Sequence, residues 1–89
     1  MATLRPILPA KTYRCPCCGF KTLKGRGQFE VCPVCFWEDD GQDESESSEV
    51  RGGPNGALSL RQAQLNFFQY GVVDERFKER VRGPEPEEL

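Results

Sequence analysis

The chain carries the pattern Cys-Pro-x-Cys twice, as Cys15-Pro16-Cys17-Cys18-Gly19 and Cys32-Pro33-Val34-Cys35-Phe36, and no other feature constrains its fold as much. In such a knuckle two thiolates lie on one side of a tight turn. The proline fixes the turn, and backbone amides after the first cysteine can reach its sulfur. Gly19 lets the chain fold back. Two knuckles facing each other present four sulfurs to a zinc ion at about 2.3 Å, which makes Cys15, Cys18, Cys32 and Cys35 the candidate metal ligands. Cys17 and Cys18 are adjacent and cannot easily face one ion together. Pairing Cys15 with Cys18 reproduces the spacing of Cys32 with Cys35, so Cys17 is the expected non-ligand, either a neutral thiol packed beside the site or a redox or exchange thiol activated by nearby positive charge.

The rest of the composition agrees with a metal staple. With 89 residues, 37% of them hydrophobic, the chain can bury one modest core, so a single domain over 1–89 is expected. Histidine is absent, which removes the commonest general base and the imidazole ligands of most catalytic zinc sites. A closed four-sulfur site has no open coordination position, so its expected role is folding rather than catalysis, worth on the order of 10 kcal/mol. No catalytic residue is assigned, and no enzyme activity is indicated. The start of the chain shows no apolar stretch that reads as a signal peptide, and nothing reads as a membrane span. Five cysteines, an odd number, suit a reducing compartment better than a disulfide framework, so a cytoplasmic location is expected.

Charge is unevenly distributed. Residues 1–36 carry six Lys or Arg against Glu30 alone, and residues 37–49 carry seven acids and no base. Arg14, Lys21 and Lys24, with the knuckle amides, are expected to offset the negative charge of a zinc tetrathiolate. The acidic stretch has no helical or strand period and reads, with Gly52-Gly53-Pro54-Asn55-Gly56, as a loop over 39–56. It is either solvated or folded back on the basic segment. A carboxylate site for magnesium or calcium around Glu38, Asp39 and Asp40, with Asn55 nearby, is the alternative, although the spacing does not match an EF-hand. Phe36 and Trp37 either pack over the metal site or present a ring beside negative charge to a basic partner.

The remaining elements follow from local signals. Leu4–Ala10 reads as extended, because Pro6 and Pro9 disfavour helix before them. Phe20–Leu23 and Gln28–Val31, separated by Lys24-Gly25-Arg26-Gly27, predict a β-hairpin joining the two knuckles over 13–38. Ser59, with Gln62 three residues on, reads as a capping box opening a helix over Leu60–Tyr70 that stops at Gly71. Leu60, Ala63 and Phe67, flanked by Gln64 and Phe68, form its apolar face. Asp74 caps a second short helix through Phe77 and Val81, completing a helical part over 59–82, and 83–89 reads as a flexible tail. The expected fold is small α+β: a zinc-ribbon-like, two-knuckle β-hairpin with a C-terminal amphipathic helix.

The segments Tyr-Arg-Cys-Pro-Cys-Cys-Gly-Phe-Lys-Thr-Leu, Cys-Pro-Val-Cys-Phe-Trp-Glu-Asp-Asp-Gly, Gly-Gly-Pro-Asn-Gly and Leu-Ser-Leu-Arg-Gln-Ala-Gln-Leu-Asn-Phe-Phe-Gln-Tyr-Gly resemble the cysteine-rich CPCC family of small, mostly bacterial proteins, over roughly residues 13–83. That resemblance implies a zinc-ribbon-like domain. The occurrence of some members in bacterial toxin and immunity neighbourhoods suggests partner binding. The knuckles also look like those of rubredoxins and zinc ribbons. The leading function is thus a zinc-stabilised protein-interaction module. One alternative is rubredoxin-like electron transfer with iron on the same sulfurs, although the thirteen residues between Cys18 and Cys32 are fewer than that likeness implies. The other is nucleic-acid binding through Lys21, Lys24 and Arg26 with Phe20 and Phe29, which the acidic net charge of -2 disfavours.

Overall fold

The computed structural model describes residues 12–89; the expected extended lead-in at Leu4–Ala10 and the reading of the chain start lie outside them. Each knuckle closes on itself. The Cys15 N–H donates to the Phe20 carbonyl and the Gly19 N–H to the Cys15 carbonyl, and in the second knuckle Cys32 and Trp37, then Phe36 and Cys32, make the same two bonds. Outside these turns the flanking residues meet in isolated antiparallel bridges, Tyr13 with Leu23 and Val31 with Glu38.

This pairing overturns the expected α+β fold. Among the described residues there is no β-strand and no sheet, and no hairpin runs between the knuckles. The two segments expected as its arms find partners elsewhere. Phe20 and Leu23 bond back to Cys15 and Tyr13, and Phe29 and Glu30 bond forward to Asp39. Gly27 and Phe29 adopt φ of 68° and 61°, left-handed values that no extended strand can contain. Each knuckle brings its own flanks together across a short closed loop, and this competes successfully with pairing to the other knuckle.

The acidic segment folds back on the basic one through Asp39, while Asp43, Glu44 and Glu49 stay exposed. Asp39 is 0% exposed; its carboxylate accepts from Arg26 Nε and the Gly27 N–H, both at 2.8 Å, and from the Gly41 N–H at 3.1 Å. Arg26 also reaches the Asp43 carboxylate at 2.9 Å. Burial opposes the Arg26 charge, but the hydrogen bonds to Asp39 and Asp43 outweigh that and raise its pKa. Asn55, buried, uses both ends of its amide on the Glu38 backbone: Oδ1 accepts from the N–H and Nδ2 donates to the carbonyl. It thereby pins the 3-10 turn Gly53–Asn55 to the second knuckle.

Helix α1 spans Leu60–Tyr70 and ends at Gly71, which takes the left-handed conformation at φ 80°. Its first N–H groups, which have no acceptor inside a helix, are met from three sources. The buried Gln42 Oε1 accepts from the Leu60 N–H, the Ser47 carbonyl from that of Arg61, and the Ser59 Oγ from that of Gln62. The Gln62 side chain, expected to complete a capping box, instead bonds Asn66 at 2.9 Å. Leu60 and Ala63 are buried and Phe67 packs beside them, while Phe68 is 91% exposed. Gln64 ties the helix to the first knuckle through the Pro16 carbonyl at 2.9 Å.

Beyond α1, Val73 donates to the Cys35 carbonyl at 3.0 Å. Asp74 then caps a 3-10 turn at Glu75–Arg80 rather than an α-helix. Residues 83–89, read as a flexible tail, form a 3-10 turn at Pro86–Glu88. Lys21 N–H donates to the Glu88 carbonyl, and Arg82 holds the Glu88 carboxylate with two bonds of 2.8 and 2.9 Å. The core gathers Leu23, Val34, Trp37, Leu60, Ala63 and Val73 around the cysteines. Trp37 is 0% exposed, and its indole N–H has no hydrogen-bond partner. No helix among the described residues is long and apolar enough to cross a membrane.

Candidate metal centre

The two knuckles bring Cys15, Cys18, Cys32 and Cys35 into one cluster whose sulfurs all lie within 4.8 Å of one another. Cys15 Sγ is 3.6 Å from Cys35 Sγ, and Cys18 Sγ is 3.7 Å from Cys32 Sγ. A tetrahedron with metal–sulfur bonds of about 2.3 Å has edges of about 3.8 Å, so the contacts across the knuckles match the edges of a four-sulfur metal site. They are far longer than the roughly 2.05 Å of a disulfide. Cys15, Cys32 and Cys35 are buried and Cys18 is partly so. Cys17, also buried, lies outside the set.

The hydrogen bonds around the sulfurs are those a thiolate needs. Val34 and Trp37 N–H groups approach Cys32 Sγ and Cys35 Sγ, each at 3.4 Å, and the Thr22 hydroxyl lies 3.0 Å from Cys32 Sγ. Four thiols packed this closely resist losing all their protons. The Cys18 and Cys32 thiols, with burial, push Cys15 up; Cys15 and burial raise Cys35. Cys18 is eased by Cys15 but raised more by Cys32, Cys35 and burial. Cys32 is held well below the ordinary thiol range by the neighbouring Cys15, Cys18 and Cys35 thiols, with the Thr22 hydroxyl beside it. A divalent cation held by these four residues would supply the charge that lets all of them ionise.

Both knuckles share one backbone, but the residue after the second cysteine differs. Gly19 has φ 83° there and Phe36 φ 73°. A phenylalanine in the left-handed region stores about 1–3 kcal/mol of strain. Phe36 is held by stacking on Phe77, with ring centroids 4.4 Å apart. Sequence reasoning missed both this conformation and Thr22; aligning the two knuckles position by position sets Phe36 against Gly19, which is the signal for the first, and nothing in the sequence marks the second.

The other expected sites fare differently. Arg14 bonds the Gly19 carbonyl at 2.6 Å and so braces the first turn. Arg26 is committed to Asp39 and Asp43, which takes it out of the proposed nucleic-acid footprint. Glu38, Asp39 and Asp40 do not assemble a second site: Asp39 turns to Arg26 and Asp40 to Gln42. Among the described residues, no other group of three or more cysteine or carboxylate side chains is close enough to hold a metal.

Fold and site together define a small domain organised around a four-cysteine centre. The sequence profile of the cysteine-rich CPCC family matches residues 13–88, and the chain belongs to that family. Comparison with curated proteins and with solved structures returned no match.

Proposed function

We propose that this chain is a zinc-stabilised protein-interaction domain in which the ion holds the fold and the acidic side of the second knuckle meets a basic partner. The observation that carries the metal half is the gathering of the four sulfurs within 4.8 Å of one another, with two pairs across the knuckles at tetrahedral edge lengths. Four sulfur ligands leave no coordination position for water or substrate, which supports a structural rather than a hydrolytic ion. In the interaction half, Trp37 serves the core, and Phe36, only partly buried, keeps ring surface beside the acidic segment. Free cysteines throughout the described residues suit the cytoplasm.

Native mass spectrometry of the freshly purified protein, with an absorption spectrum of the same sample, tests the metal. One zinc per chain and no visible band are expected; bound iron with visible colour would make the site an electron carrier, and a metal-free folded protein would end the structural reading. Affinity capture from native cytosol tests the partner. A protein that elutes with salt and survives nuclease treatment is expected, and capture that depends on nucleic acid would replace this reading.

A further inference from the structure

Six of the seven acids in the segment 37–49 are satisfied within the chain. Asp39 and Asp43 hold Arg26, Asp40 takes the Gln42 amide, Glu44 takes Arg61 and Gln64, and Glu46 and Glu49 lie beside Arg51. The seventh is Glu38. Its backbone is clamped at both ends by Asn55, yet its carboxylate has no ion-pair or hydrogen-bond partner among the described residues. It is half-buried and lines a cleft of about 70 Å³ together with Phe36, Leu58, Val73, Arg76 and Phe77.

We propose that this cleft receives one lysine or arginine side chain from a basic segment of a partner protein, a reading that rests on the interaction role above. Size excludes nucleotides and organic cofactors, whose pockets run to roughly 300–1,000 Å³, and leaves room for the end of one side chain. The chemistry selects a cation. A carboxylate with no internal counter-charge stands beside two aromatic rings, and aromatic faces attract cations. Arg76 does not reverse that sign, since its guanidinium is 3.4 Å from the Asp74 carboxylate. It also lies 4.6 Å from the centre of the Phe77 ring, an internal instance of the contact the cleft offers. The walls are set before a partner arrives: the second knuckle imposes the left-handed turn that places Phe36, and Asn55 fixes the backbone of Glu38.

The test is a two-dimensional amide NMR titration of the metal-loaded full chain with the capped tripeptides acetyl-Gly-Lys-Gly-amide and acetyl-Gly-Arg-Gly-amide, with Glu and Leu in the central position as controls. Saturable shifts at Phe36, Glu38, Phe77 and the Asn55 side-chain amide are expected from the cationic peptides alone. Glu38→Gln, checked for metal content and an unchanged spectrum elsewhere, should weaken them roughly fivefold, and Arg76→Ala, which removes a like charge from the lining, should leave binding at least as strong. No saturable shift, equal binding of the leucine peptide, indifference to Glu38→Gln, or binding of the glutamate peptide that Arg76→Ala removes would each overturn the proposal. Capture of a cytosolic protein that persists in Glu38→Gln would place the partner on another face, so the cleft would fail while the interaction reading stood.

Discussion

Among single residues, the cysteines are not equivalent. Cys32 is contacted by Cys18, Thr22 and the Val34 N–H, whereas Cys17 stands outside the cluster. Cys32→Ser should therefore release the metal and most of the fold, and Cys17→Ser should retain both; mass-spectrometric metal content and amide spectra of the two variants check this, and equal losses would refute the ligand set. Thr22→Val removes the hydroxyl beside Cys32 while keeping the branched shape. A roughly 10- to 100-fold loss of metal affinity is expected, as for other groups that support a ligand, and chelator competition measures it. The gathering of Cys15, Cys18, Cys32 and Cys35 into one cluster could be read from the sequence because cysteine spacing is a local signal. Thr22 could not, because its position beside Cys32 depends on how the first knuckle's outgoing chain crosses the second.

At the level of elements, α1 was legible at both ends because Ser59 and Gly71 act within one turn of their own positions. The origin of its other N-terminal acceptors was not. Gln42 lies eighteen positions before Leu60, inside a segment whose composition suggests only solvent, yet it is fully buried and bonded to the Leu60 N–H. Gln42→Leu should cost about 1–3 kcal/mol by leaving that donor unmet, and Ser59→Ala about 1 kcal/mol. Denaturant melts of the metal-loaded variants give both values, and faster amide exchange at Leu60 should be specific to the first. The knuckle pairing was misread for a related reason. Arms with strand-like composition do not declare which neighbour receives their hydrogen bonds, and the left-handed turn at Phe29 carries no sequence mark such as glycine.

For the whole molecule, the four-cysteine cluster sits where the knuckles and α1 converge on one core. The knuckles, α1 and the tail meet through the cysteines, Val73, Gln64, Lys21 and Arg82 rather than through a sheet. Acid should therefore unfold the protein by protonating thiolates. Metal-bound cysteines titrate below their unfolded values, so their stabilisation is complete at higher pH and lost as pH falls through the bound values. Raising free zinc should move the acid midpoint downward, as circular dichroism would follow; a midpoint indifferent to zinc would mean that the ion does not hold the fold. Glu88 acts in the same direction. Arg82 holds its carboxyl below the usual range, so this contact with the tail is complete above the ordinary carboxylate pKa and lost as pH drops through the lowered one.

The chain's one tryptophan is sealed in the core with its backbone N–H on a cluster sulfur and its indole N–H bonded to nothing. An indole in dry surroundings emits toward the blue and moves toward the red when water reaches it. Trp37 thus makes the protein its own optical gauge: adding a chelator should shift the emission red in step with metal loss, and restoring zinc should return it, with no label attached.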